Sequence, residues 1–421
     1  MSFIAFNDQY RYLLKSGRLP MPYPFGFPYD NIAPNLNVDP NQICADDGLT
    51  PFWDGPYDPY YQMVRDGNWD PANAVFNGYV PGPDYLSHDV IPFQDPSLGR
   101  GFELQLLNSN YEGVAKQFDV KILDPWNLLV LNDYIYVCNE GGIGVYDLLG
   151  RSLDMIINVW AGDNVLGQPT GIVVNHKVGI FVIRKGRIFK PALIIVCTRS
   201  GTINAYEPDV DPESMVLVVD NSAGGSVYTG MEVCMEMGTL YVADFYNRRI
   251  DMFDENFCLM ERRFIDEYSS DPIPEDYSPI NVKIIGEELF VMYSRQDPLD
   301  RQFEIGGVGW GFISVFDLNG RFRRRFCSRG VLNGPYGIEL CPSGWGYEAG
   351  SMIISGSDGT ISVFGFDGKF VGKLRKCGIE IWIDGLRGFA ISESCSMRTV
   401  YWVSSGDSFR NGIIGVINSC I

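Results

Sequence analysis

Two histidines in 421 residues limit what this chain can do with protons and soft metals. His88 lies near the N-terminus and His176 follows an apolar run, so a zinc site built on two or three histidines after residue 100 is excluded by count. A Ser-His-Asp relay would have only these two bases to draw on, and no G-x-S-x-G elbow is present. The segment "GVGWG" before Phe312 lacks the Lys-Ser/Thr that follows a phosphate-binding loop. Ten cysteines, at 44, 138, 197, 234, 258, 327, 341, 377, 395 and 420, never approach C-x-x-C spacing. Most lie inside apolar runs, as expected for buried free thiols in a reducing compartment. Oxygen donors remain. Asn127, Glu232, Asn281 and Asp384 are the candidates for a hard cation such as calcium, which takes carboxylate, amide and carbonyl oxygens. The same side chain types also satisfy turn backbones. The acidic stretch "EPDVDPE" (207–213) has prolines where a calcium loop needs freedom, and it lacks the glycine and distal glutamate of an EF-hand; it reads as a solvated loop.

The elements that would position these residues recur. "YIYVCNEGGIGVYDLLG", "LIIVCTRSGTINAYEPD", "LYVADFYNRRIDMFDEN", "LFVMYSRQD" resuming as "GFISVFDLNG", "MIISGSDGTISVFGFDG" and "VYWVSSGDSFRNGIIGVI" align on Val137, Val196, Val242, Val291, Ile354 and Trp402. The spacings are 59, 46, 49, 63 and 48 residues. A shorter phrase precedes each unit: "DPWNLLV", "QPTGIVV", "VYTGMEV", "SPINVKI", "GPYGIEL" and "DGLRGFAI". Each unit reads as four short strands with period-two patterning and turn residues between them. Six such units are the arithmetic of an all-β, six-bladed β-propeller over 101–421, because one blade alone cannot bury both faces. "GFELQLLN" (101–108) precedes the first inner strand and is expected to complete the last blade. Asn319-Gly320 and Asp367-Gly368 read as type I′ hairpin turns. The repeated positions would bring Asn127, Asn281, Glu232 and Asp384 toward the axis.

Residues 1–100 follow another grammar. They hold 14 of the 25 prolines, which remove backbone donors and prevent regular structure, yet they are rich in aromatics. An extended arm that lies on a surface fits both facts, with Tyr23, Phe25, Phe27, Phe52, Trp53, Tyr57, Tyr60 and Tyr61 as its partner-binding side chains. That surface is either the arm's own domain or a protein partner. The net charge of −19 opposes nucleic acid and anionic membranes. The basic runs "RKGRIFK" (184–190) and "RFRRRF" (321–326) read as strands alternating between solvent and core. No signal peptide, sequon or membrane-spanning run is legible, so the expectation is a protein made in the cytoplasm without membrane insertion.

The phrase "LYVADFYNRRIDMFDENFCLMERRF" resembles an NHL repeat. The order of "LDPWNLLV", "VVDNSAGGSVYTGMEV", "SPINVKIIGEELFVMYSRQD" and "GFISVFDLNG" is similar to a family of bacterial propellers, usually secreted, without an assigned activity. The resemblance spans about 101–421 and implies a six-bladed propeller; it does not cover the arm.

No positive catalytic signal emerges, and no cofactor is required. The expected function is a non-catalytic structural or interaction protein, a rigid propeller tethered by its arm to a larger assembly, with a virus particle as the specific expectation. The alternative is a calcium-dependent hydrolase or lactonase with its site at the channel mouth. A second alternative, a carbohydrate-binding propeller, would use exposed Trp310, Trp345 and Tyr336.

Overall fold

Alternating β-branched and aromatic residues between turn clusters build sheets here and almost nothing else. The computed structural model describes residues 101–421 except 163–164, 262, 269, 377–378, 393–398, 406–411 and 420–421. The arm residues Tyr23 to Tyr61 and His88 lie outside the described residues. Among the described residues six sheets of four or five strands, mainly antiparallel, follow one another along the chain, with three two-stranded hairpins besides. Their innermost strands are Leu128–Leu131, Pro169–Val174, Tyr228–Cys234, Tyr277–Ile285, Ile338–Leu340 and Leu386–Ser392. These strands touch in succession, and the sixth touches the first, so the blades close a ring around an axis. The fold is the six-bladed β-propeller. Among the described residues the sole helical element is the 3-10 turn Ser222–Gly224, and no helix is long and apolar enough to cross a membrane.

The ring closes as the sequence predicted. Phe102–Ser109 forms the outer strand of the sixth blade, antiparallel to Ile413–Ser419, with a register shift between Leu106 and Asn108. Phe102 and Leu107 are buried there. Six hydrophobic clusters fill the six junctions between blades. Val173, Ile195 and Cys197 of the second blade, for example, meet Met231, Leu240 and Val242 of the third. Among the described cysteines, Cys138, Cys197, Cys234 and Cys327 are buried free thiols, as expected, while Cys258 is exposed and Cys341 half-buried.

The two hairpin turns differ from the type I′ expectation. Gly320 and Gly368 have positive φ, but Asn319 and Asp367 do not, and type I′ needs both. The amide of Gly320 donates to the Asp317 carbonyl at 2.9 Å, and the amide of Asp317 to the Arg321 carbonyl at 2.9 Å. This is a three-residue loop ending in a left-handed residue. Asp317 Oδ1 accepts from the amides of Asn319 and Arg321, and this capping selects it over the shorter turn. The loops at Asp147 and Asp254 repeat the pattern, with Gly150 and Phe257 in the left-handed position.

Candidate functional site

The inner strands enter the ring in the same direction, so equivalent positions stack in layers along the axis. The first layer holds Trp126, Thr170, Thr229, Ile280, Tyr336 and Arg387. Tyr336 is 3% exposed, and its hydroxyl lies 2.9 Å from the carbonyl oxygens of both Thr170 and Thr229, across the axis. Trp126 meets the Tyr336 ring edge-on at 5.9 Å, and the Arg387 guanidinium lies 4.1 Å from the Trp126 ring centre. These side chains plug the channel.

The second layer is Asn127, Gly171, Gly230, Asn281, Gly337 and Gly388. The two asparagines sit in blades one and four, and each fills space left by a glycine in the preceding blade. A Cβ on Gly230 would lie 2.0 Å from Asn281 Oδ1, and one on Gly388 2.2 Å from Asn127 Oδ1. Asn281 Nδ2 donates to the Tyr336 carbonyl at 3.0 Å, and its Oδ1 accepts the Val282 amide at 2.9 Å. Asn127 Oδ1 accepts the Leu128 amide at 2.9 Å.

Before the plug, at the entry end, lies a charged cluster. Arg387 pairs with Glu304, which the short strand Glu304–Ile305 of blade four brings in. Arg199 lies 5.1 Å from the Trp126 ring centre and 4.1 Å from that of Phe303, and donates to the Gln302 carbonyl at 2.9 Å. Asp124, with a left-handed φ of 39°, accepts on Oδ2 from Trp126 Nε1 at 3.2 Å and from Gln168. Its buried Oδ1 has no partner among the described residues. Burial raises the Asp124 pKa, and the Arg387 charge opposes that rise.

Beyond the plug, at the exit end, the channel widens into a chamber of about 470 Å³. Lys283 from blade four stands there between Glu339 of blade five, at 2.5 Å, and Glu232 of blade three, at 3.6 Å. The side from blades six, one and two carries Leu129, Val130, Val174 and Ile391 together with Asn127. His176 borders the mouth.

Of the sequence-selected ligands, Asn127, Glu232 and Asn281 line this chamber; Asp384 does not, and its carbonyl accepts the Ser404 hydroxyl. Among the described residues no group of three or more His, Cys, Asp or Glu side chains gathers as a metal site. Lys283, Glu339, Asp124, Arg199, Glu304 and Arg387 were missed. Glu232, Lys283 and Glu339 do share one register in "TGMEV", "NVKI" and "YGIEL", and that alignment carried the signal. The carbohydrate reading loses its premise: Trp345 and Tyr336 are buried, and Trp310 is half-buried with Arg295 4.5 Å from its ring centre. They fill the space around and between blades.

The surface charges also resolve into pairs. Lys185 and Lys190, on the hairpin Val182–Lys185 and Ile188–Pro191, pair with Asp211 and Asp209 of the acidic loop. The alternation expected for that run fails, because the hairpin stands out from its blade and leaves both Ile188 and Phe189 exposed. In "RFRRRF" the alternation breaks as well: Arg323 and Arg325 are two residues apart, yet Arg323 is exposed and Arg325 turns inward to Asp266 at 2.8 Å, where the pairing with Phe312–Asp317 shifts register twice.

No protein-family model matches the chain. Three proteins of Acanthamoeba polyphaga mimivirus do. Uncharacterized protein R640 is 38% identical over 306 residues, 72% of this chain and 57% of its own length. Uncharacterized protein L690 is 35% identical over 331 residues, 77% of this chain and 88% of its own length. Uncharacterized protein R648 is 35% identical over 333 residues, 78% and 83% respectively. The chain therefore spans little more than half of R640. Among solved structures, a putative gluconolactonase superposes at a TM-score of 0.47 with 11% identity, covering 81% of this chain and 97% of its own. A streptogramin B lyase superposes at 0.41 with 13% identity, covering 77% and 99%. These two likenesses concern the fold alone.

Proposed function

The chain belongs to the family of mimivirus proteins that includes L690 and R648, and from that premise we propose that it is a non-catalytic propeller scaffold of a virus particle. The observation that carries this reading is the plugged axis. Tyr336 and Trp126 fill the channel, and the charged side chains at both ends are largely turned toward one another, as in Arg387–Glu304 and Lys283–Glu339. Such an arrangement favours a rigid disc over a reactive centre, which would hold an activated group apart from its neutralising partners. The arm of residues 1–100 is its tether to protein partners. The blades are read as NHL-like on the geometry of "ADFYNRRI". Fully buried Asp244 accepts the Val227 amide at 3.1 Å and Asn247 Nδ2 at 2.8 Å, and stands 3.3 Å from Arg249.

The test is made in infected cells. A tagged copy is expected in purified particles and is expected to stay there through washes in about 1 M salt, which screen surface charge to within ~3 Å. Its loss into the soluble fraction would sink the scaffold reading. For the calcium alternative, millimolar calcium is expected to leave the melting temperature unchanged; a rise abolished by Asn127→Ala and Asn281→Ala would favour the hydrolase.

A further inference from the structure

We propose that the exit chamber is a binding site for an alkylammonium group carried on an apolar stem. The inference does not depend on the scaffold reading. A volume of about 470 Å³ lies within the range of small-molecule sites. The chamber is two-sided. The half-buried Leu129, Val130, Val174 and Ile391 give one side its apolar surface, beside Asn127 and His176, while Glu232, Lys283 and Glu339 make the other. Two carboxylates against one ammonium leave that wall with a net negative charge.

The three charges are not equally committed. Lys283 is hydrogen-bonded to Glu339 at 2.5 Å but stands 3.6 Å from Glu232, beyond hydrogen-bond reach. Glu232 Oε1 takes the Val233 amide at 3.0 Å, and its Oε2 is ion-paired with Lys283 only at the longer distance of 3.6 Å. An anion entering the chamber meets the net negative wall. A neutral apolar molecule covers the Glu232 carboxylate and gives it nothing in return, which is costly. An ammonium supplies both charge and N–H donors, and its stem lies on the apolar wall. The same chemistry is offered by a free amine and by a lysine side chain.

The experiment is calorimetric titration of the full-length chain with hexylammonium, N-acetyl-lysine methylamide, hexanol and hexanoate. Hexylammonium is expected to bind with a Kd below about 1 mM, a modest demand on one ion pair and a buried stem. Hexanol and hexanoate are expected to be weaker by about tenfold or more, and Glu232→Gln to weaken the amine by about tenfold without changing the melting temperature. Val174→Phe, at a half-buried position on the opposite side, is expected to block the stem and serves if Glu232→Gln fails to fold. Lysine amide binding as well as hexylammonium assigns the site to a partner's lysine; binding only of the free amine assigns it to a small molecule. Equal binding of hexanol, tighter binding of hexanoate, an unchanged affinity in both variants, or no heat with any probe would overturn the proposal.

Discussion

At the residue scale, buried charge is the dominant hazard, and the propeller handles it by pairing. The Arg325 and Asp266 side chains are 3% and 9% exposed, and Arg325 also holds Ser314 at 3.0 Å and the Asp271 carbonyl at 3.1 Å. Asp266→Ala strands that guanidinium, and the expected loss is about 3–5 kcal/mol in urea unfolding. Asp124 is the opposite case, because burial outweighs the help of Arg387 and raises its pKa above 3.8. The sign follows from linkage. Below 3.8 the carboxyl is protonated in both states and costs nothing; as pH rises, the unfolded chain ionises first, and the fold loses stability until the raised native value is passed. The urea midpoint of the native chain should therefore fall relative to that of Asp124→Asn as pH rises above 3.8. Parallel curves would show that Asp124 ionises without penalty.

At the element scale, the inner strands are fitted to one another rather than merely aligned. Gly230 is required by Asn281, not by its own backbone, since a Cβ would lie 2.0 Å from the amide oxygen. Gly230→Ala is expected to cost ~1–3 kcal/mol through overpacking. Adding Asn281→Ala should recover part of that loss despite the lost bond to Tyr336, with a coupling of about 0.5–3 kcal/mol in a double-mutant cycle. Strict additivity would mean the two do not compete for space. The turn loops show the same dependence on context. Phe257 accepts a left-handed φ of 62° where other blades use glycine, and its ring packs 5.3 Å from Phe181 at the base of the projecting hairpin.

At the scale of the whole molecule, stability depends on closure. Phe102–Ser109 comes from the start of the described chain and seals the last blade. Without it, Ile413–Ser419 becomes an open edge. A chain beginning at residue 110 is expected to lose about 3–6 kcal/mol from the missing burial of Phe102 and Leu107 alone, and its calorimetric transition should broaden and move down. A sharp, unshifted transition would mean that the remaining strands close the ring by themselves.

Period-two patterning and the spacing of the six units determined the blade number, the strand order and the closing strand, because each is a local or repeated property of the chain. The "WN", "TG", "IN", "YG" and "RG" phrases likewise marked the axial layers. What the sequence left open was which polar residues meet. Arg387 and Glu304 are 83 residues apart, and Thr170 and Tyr336 are 166 apart. The "RKGRIFK" and "EPDVDPE" runs, read separately as a strand and a solvated loop, pair through Lys185–Asp211 and Lys190–Asp209. Asn127 and Asn281 looked like cation ligands because amide oxygens suit calcium, but their placement also depends on glycines in neighbouring blades, which no single unit reveals. Patterning is written along the chain, whereas burial, charge pairing and the filling of space are settled between distant segments, and only the closed ring brings those together.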